Sequence, residues 1–282
     1  MVFEREQKHT PINAATVLRY VLLIVLAVVT FAPIWFMATT SLKTPAEVFE
    51  FPPSLLPDVP QWSNYVALFE NLDIPRYMYN TFVVSAAAVL FNLLFDSMAA
   101  FAFARLKFPG RDLAFIALIA SMIIPFQITM IPTFLIVKTF GWIDSYAGLI
   151  APTAGGAFGI ILLRQFMISF PSGLEDSARM DGAGLFRVYW DIVMPLTKPA
   201  LATLAVLTFM FTWDDFLWPL IITNSDHMRT IQLGLQMLRG EYTLNWEILM
   251  AGSTIALIPV FVLFAFSQRF FIEGVTMSGM RG

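Results

Sequence analysis

The sequence contains no cysteine and only two histidines, His9 and His227. Disulfides, thiol nucleophiles and cysteine-ligated metals are therefore excluded, and a histidine-rich metal centre lacks its ligands. Charge is scarce too: Asp, Glu, Lys and Arg make up 13% of 282 residues, and the net charge is −3. A soluble domain of this length needs more charge to cover its surface. Nothing in the balance points to nucleic acid as a partner. No G-x-x-x-x-G-K-[ST] phosphate loop occurs, so the chain does not bind ATP by that motif, and neither G-x-S-x-G nor H-E-x-x-H is present. The expectation is a chain that is not an enzyme and carries no cofactor of its own.

What is present is apolar. Hydrophobic residues make up 58% of the chain, with 28 Phe among them. Uncharged runs cover residues 20–42, 77–95, 113–137, 145–163 and 248–268. Each meets or approaches the roughly 20 residues that cross a bilayer. A sixth apolar run, 199–223, is interrupted by Asp214 and Asp215. Inside lipid only helices and closed barrels satisfy the backbone, and these runs show no period-two alternation. The expected fold is all-α: a polytopic membrane protein with six transmembrane helices in one domain, 1–282. The expected spans are about 18–41, 78–104, 113–137, 145–167, 199–223 and 247–270. The first run is too long for a signal-peptide core and no small-x-small site follows it, so it reads as a retained span.

Basic residues set the expected orientation. Alternate segments assign twelve of the 17 Lys and Arg residues to one side, among them Arg5, Lys8, Arg19, Arg105, Lys107 and Arg111. Lys43, Arg76, Lys138, Arg229 and Arg239 fall on the other. Both termini are expected in the cytoplasm of a multi-pass cell-membrane protein. The extracytoplasmic loop 42–77 holds Pro45, Pro52, Pro53, Pro57 and Pro60. It should be ordered and mostly non-helical, with a short helix near 65–70.

The cytoplasmic loop 169–198 is longer than a connector needs. Pro171-Ser172-Gly173 breaks span four, and Ser172 or Gly173 can cap a short helix with Glu175 and Asp176 in its first turn. Asp181-Gly182-Ala183-Gly184 should end that helix. A second one, 185–193, places Phe186, Tyr189, Trp190 and Val193 among Arg187 and Asp191. An amphipathic pair resting on headgroups is disfavoured, because Glu175, Asp176 and Asp181 would face an anionic surface.

This loop resembles the signature of ABC importer permeases: Glu-Ala-Ala, three residues, Gly, nine residues, Ile, one residue, Leu-Pro. Asp176-Ser177-Ala178, Gly182, Ile192 and Met194-Pro195 stand at that spacing, with Asp, Ser and Met as the departures. Arg179-Met180-Asp181-Gly182-Ala183 looks like the carbohydrate-uptake branch. Trp213-Asp214-Asp215-Phe216-Leu217-Trp218-Pro219 is similar to its span-five motif, with Asp214 where Asn is usual. The tail 269–282, Ser41-Leu42-Lys43 and residues 141–146 resemble the maltose-type second permease.

The resemblance implies a type I importer permease fold. It also implies a heterodimer with a second permease, two ATP-binding cassette subunits that hold ATP and Mg, an extracytoplasmic solute-binding protein, and a carbohydrate cargo. ATPase coupling would fall to Glu175, Asp176, Ser177, Ala178, Arg179, Asp181, Gly182, Ala183, Ile192 and Pro195. A polyol or glycerol phosphate is the alternative cargo.

Polar residues inside spans need a reason, since charges there cost about 2.5–3.5 kcal/mol. Asn92 and Asp96 are one turn apart on one face of span two. Gln127 lies between Pro125 and Pro132, where a kink frees backbone groups. Trp213, Asp214, Asp215, Phe216 and Trp218 combine carboxylates for hydroxyls with rings for the C–H face of a pyranose. These eight are the candidate substrate path. They could equally be interface anchors, helix caps or interhelical partners. Adjacent Asp214 and Asp215 point about 100° apart on a helix, which disfavours a glycosidase acid/base pair. An ion-coupled transporter using Asp96, Asp214 and Asp215 as relays is the rival class.

Overall fold

The computed structural model describes residues 13–171, 173–238 and 245–279, with side chains as far as 268. Every regular element among them is helical. In chain order they are α1 (Ala14–Thr40), α2 (Pro45–Val48), α3 (Ser63–Asn71), α4 (Ile74–Arg105), α5 (Arg111–Ser121), α6 (Phe126–Thr139), α7 (Tyr146–Ile150), α8 (Ala157–Ile168), α9 (Gly173–Met180), α10 (Leu185–Arg187), α11 (Met194–Leu196), α12 (Lys198–Trp213), α13 (Leu217–Ile222), α14 (Ile231–Gln236) and α15 (Trp246–Gly279).

Three helices can cross a membrane singly: α1, α4 and the Trp246–Gln268 part of α15. Three bent helix pairs pass the same test of length and composition when each is taken together, which gives up to six spans. α5 and α6 meet at 103°, around Pro125, which has no amide to continue a helix. Pro132 stays inside α6. Tyr146–Thr153 meets α8 at 42°, across Ala154-Gly155-Gly156. Leu185–Leu196 meets α12 at 77° at Thr197, between Pro195 and Pro199. α12 ends at Trp213 and α13 begins at Leu217, so the two carboxylates, Asp214 and Asp215, sit in a break between helices.

The chain divides into two compact units. In the first, residues 1–67 and 245–254, Ser41-Leu42-Lys43 organises the proline-rich loop. The Asn64 amide donates to the carbonyls of Ser41 and Lys43, Gln61 N–H donates to Leu42, and the Ser41 and Tyr65 hydroxyls share a hydrogen bond of 2.8 Å. Lys43 is buried and donates to the Ser54 carbonyl. Thr44 and Glu47 form a reciprocal cap on α2. The short helix expected near 65–70 is α3.

The second unit, residues 68–244 and 255–282, is built around α4, about 48 Å long. α8 and α12 are its principal neighbours. One core joins Phe101, Leu163, Met167, Val188, Tyr189 and Leu204; another joins Val84, Val137, Leu149, Trp218 and Ile222. Lipid tails are as apolar as these side chains, so close packing and internal hydrogen bonds hold the unit together. Asn92, Asp96 and Ser97 are buried on α4.

Candidate functional site

The 173–196 segment is positioned by its glycines and by α4. α9 ends because Gly182 adopts φ +83, where a Cβ is unfavourable. Ala183 N–H then donates to the Ala178 carbonyl and Gly182 N–H to Arg179, a Schellman-type stop. The spaced glycine of the motif is thus the residue that folds the helix end back. Ala178 and Ala183 pack on the α4 core. The second helix runs further than 193: α10 passes into a π-helical stretch, Val188–Val193, and on through α11 to Leu196. The wide turn carries the chain into Pro195 without a stop.

Two contacts tie this segment to α4. Arg105 pairs with Glu175 at 2.7 Å, both side chains largely buried, and also donates to the Phe170 carbonyl at 3.1 Å. The Tyr189 and Ser97 hydroxyls share a buried hydrogen bond of 2.8 Å. Desolvation raises the Glu175 carboxyl above its ordinary range, against the opposing charges of Arg105 and Arg179. Asp176, Ser177, Arg179 and Asp181 are exposed, Ile192 is half-buried and Pro195 exposed. Leu174, Met180, Phe186 and Trp190 are exposed apolar side chains. Ser172 lies outside the described residues. The charge pattern assigned Arg105 to a side only; its ion pair, and the roles of Ser97 and Tyr189, had no local signal.

A cavity of about 360 Å³ opens beside α4, between α8, α12 and α13. Of the eight candidate path residues, Asn92, Asp215 and Trp218 line it. Asp96 lies behind its glycine wall, accepting from Gly156 N–H at 3.0 Å. Trp213 points elsewhere, donating to the Ala256 carbonyl at 3.0 Å and stacking on Phe209. Asp214 is exposed and accepts from the Gln232 amide at 3.3 Å. Phe216 is half-buried and Gln127 exposed, neither on the wall. Thr153, Thr208, Thr212, Phe126, Phe158 and Phe211 complete much of the lining. They are ordinary span residues, and only the fold selects them.

The polar wall is mostly acceptor. Asn92 spends its amide protons on the Ala88 and Thr153 carbonyls. Thr153 donates to Ile150 and Thr212 to Thr208. Their remaining lone pairs, with the Asp215 carboxyl, leave acceptors along the cavity wall. Asp215 also caps α13 weakly, accepting from Trp218 N–H at 3.4 Å. The Trp218 indole N–H is engaged with the Gly148 carbonyl at 3.0 Å and its ring is buried edge-on against Phe126, so it backs the wall without offering a donor.

Elsewhere in the same unit, Asp144 accepts from the amides of Asn224 and Ser225 at 2.9 and 3.0 Å. Burial pushes its carboxyl up, but those hydrogen bonds more than offset that and hold it below the ordinary range. Asn80 donates to the His227 and Arg229 carbonyls and accepts from Tyr146. Residues 239–244 of this loop lie outside the described residues, as do the side chains of the tail 269–282.

Known proteins resemble this chain over almost its whole length. The arabinooligosaccharides transport system permease protein AraQ of Bacillus subtilis (strain 168) is 34% identical over 253 residues, 89% of this chain and 90% of that one. The sn-glycerol-3-phosphate transport system permease protein UgpE of Brucella abortus (strain 2308) is 32% identical over 264 residues, 90% and 94% of the two chains. A chain of a bacterial ABC transporter involved in the import of the acidic polysaccharide alginate superposes with a TM-score of 0.81 at 25% identity, over 93% of this chain and 100% of that one. Residues 96–276 match the profile of binding-protein-dependent transport system inner membrane components. The chain is a multi-pass membrane protein and belongs to that family.

Proposed function

We propose that this chain is one permease subunit of an ATP-driven ABC importer in the cytoplasmic membrane, and that it forms half of the path for an uncharged, hydroxyl-rich carbohydrate. The acceptor-lined cavity carries the reading. Sugar hydroxyls donate to Asp215, Asn92 and the threonine oxygens, while C–H faces stack on the exposed rings of Phe126, Phe158 and Phe211. Glycerol phosphate has a relative's name in its favour. An anion needs donors or cations, however, and no Lys or Arg lines this cavity.

The charge pattern puts both termini and the 173–196 segment in the cytoplasm. There Leu174, Met180, Phe186 and Trp190 face a groove of an ATP-binding cassette subunit, which supplies the ATP and Mg site. A second, different permease closes the path, and a solute-binding protein docks on the outer loops. ATP-driven closure of the ATPase pair moves the segment, and Arg105–Glu175 and Ser97–Tyr189 pass the motion to α4. The cavity is thereby exposed to each side in turn.

The test is uptake by the complete complex in liposomes. A neutral oligosaccharide should enter with wild-type ATPase and stop with a catalytically dead one. Uptake that persists with the dead ATPase, or survives only on an ion gradient, sinks the reading in favour of the ion-coupled class. Uptake of glycerol 3-phosphate alone sinks the cargo assignment.

A further inference from the structure

Span four is broken where it lines the cavity, and the break is held by another helix. The first half ends in the turn Ala151–Thr153, and α8 starts at Ala157 with Gly156 at its cap and no side chain of its own to cap it. A helix break leaves carbonyls on one side and amides on the other without partners, which is costly in an apolar surround. Two α4 residues one turn apart supply them. Asn92 donates its amide to the Thr153 carbonyl at 2.6 Å, and Asp96 accepts from Gly156 N–H at 3.0 Å. One residue satisfies each side of the break.

The approach depends on glycine. A Cβ on Gly159 would lie 2.0 Å from Asp96 Oδ2, 2.9 Å from its Cγ and 3.0 Å from Leu204 Cδ1. Asp96 is 1% exposed, and its Oδ2 has no hydrogen-bond partner among the described residues. It is therefore not placed to bind cargo itself. Thr153, Gly155, Gly156 and Gly159, the residues it and Asn92 hold, do line the cavity.

We infer that Asn92 and Asp96 form a clasp that fixes the broken turn of span four against α4, and that this clasp, rather than direct contact by Asp96, sets the floor of the cargo path. Asp96 is a positioning residue whose role is that of an acceptor. The sugar-import reading above supplies the transport assay for it.

The experiment uses the complete complex, with uptake, ATP hydrolysis and amide hydrogen exchange measured on each variant. Loss of one well-placed buried hydrogen bond corresponds to about a tenfold effect. D96A should import roughly tenfold more slowly while still hydrolysing ATP, so that ATP used per sugar rises about tenfold, and amides 155–160 should exchange about tenfold faster. D96N keeps an acceptor for Gly156 and should stay within about threefold of the unsubstituted complex on all three measures. G159A should behave like D96A, because its methyl displaces the carboxylate. If G159A does not assemble, N92A opens the other side without added bulk and should show the same faster exchange.

Normal exchange and uptake in D96A overturn the clasp. So does D96N failing as badly as D96A, since that makes the charge the requirement. If the unsubstituted complex shows no ATP-dependent sugar uptake, the import reading falls, and the exchange measurement still decides the clasp.

Discussion

Trp218 donates its indole N–H to the carbonyl oxygen of Gly148 at 3.0 Å, joining α13 to α7 across 70 residues of sequence. The residue that accepts this bond must itself be glycine for a separate reason: a Cβ there would lie 2.2 Å from the Trp142 carbonyl oxygen and 3.2 Å from Ile222. Backbone cannot step aside as a side chain can. G148A should therefore destabilise the chain by about 1–3 kcal/mol. W218F keeps the ring but strands the carbonyl, at about 1–2 kcal/mol. Thermal loss of the monodisperse detergent-solubilised protein measures both, and G148A melting with the unsubstituted chain would refute the steric argument.

Arg105 compensates a buried carboxylate. R105A leaves Glu175 buried beside an apolar core and should cost about 3 kcal/mol, with the ATPase subunit lost on purification. Adding E175Q should restore most of both. The pH dependence follows from the raised Glu175 value. A carboxyl whose folded pKa is raised favours the fold below its unfolded value, and that contribution is lost as pH rises through the folded one. Removing Arg105 takes away a lowering charge and raises the Glu175 value further, so the R105A deficit should be largest at high pH and shrink as the pH falls toward 4.5, the ordinary value. A deficit unchanged over that range, or no rescue by E175Q, contradicts the pairing.

Asp144 occupies the left-handed region at φ 55, and its carboxylate holds two backbone amides. Asn tolerates that conformation and keeps an acceptor, whereas Ala does neither. D144N should be close to the unsubstituted chain and D144A less stable by about 2 kcal/mol. Because the Asp144 pKa is lowered, its contribution is complete above the ordinary value of 3.8 and disappears as pH falls through the folded value below it. Hydrogen exchange at the 224 and 225 amides reads this locally; equal exchange in D144A and D144N would contradict it.

Asp214 and Asp215 are neighbours with different surroundings, Gln232 for one and the cavity for the other. D215A should raise the KM for sugar or lower uptake about tenfold, the effect of losing a charged hydrogen bond to cargo. D214A should stay within about threefold. The reverse order of effects would place the cargo on the opposite side of the break.

Much of the fold was legible in order along the chain. Long apolar runs announced membrane-crossing helices, and of the two prolines flanking Gln127 it is Pro125 that stands at the sharpest bend, because a missing amide acts locally. The spaced Asp176-Ser177-Ala178, Gly182 and Pro195 announced a helix-turn-helix segment, since the positive φ at Gly182 and the end of α9 are decided within a few residues. Gln127, Trp213 and Phe216 show the limit of the same reasoning. Their residue types suit a sugar path, but type does not say which way a side chain on an apolar helix faces when every face is apolar.

The sequence by itself determined that this is a membrane-spanning chain built of helices, because burial in lipid and backbone satisfaction depend on composition and length. It also determined the short segment built to stop and turn, because turn chemistry is local. Only the tertiary structure decided that Asp215 lines the cavity while Asp96 stands behind it, that Arg105 holds Glu175, and that Asn92 and Asp96 hold the two sides of one break. These are pairings between helices 60 or more residues apart in the chain. Such distances exist only once the helices have packed, and at the Asp96 break they rest on how closely Gly159 lets α8 approach α4.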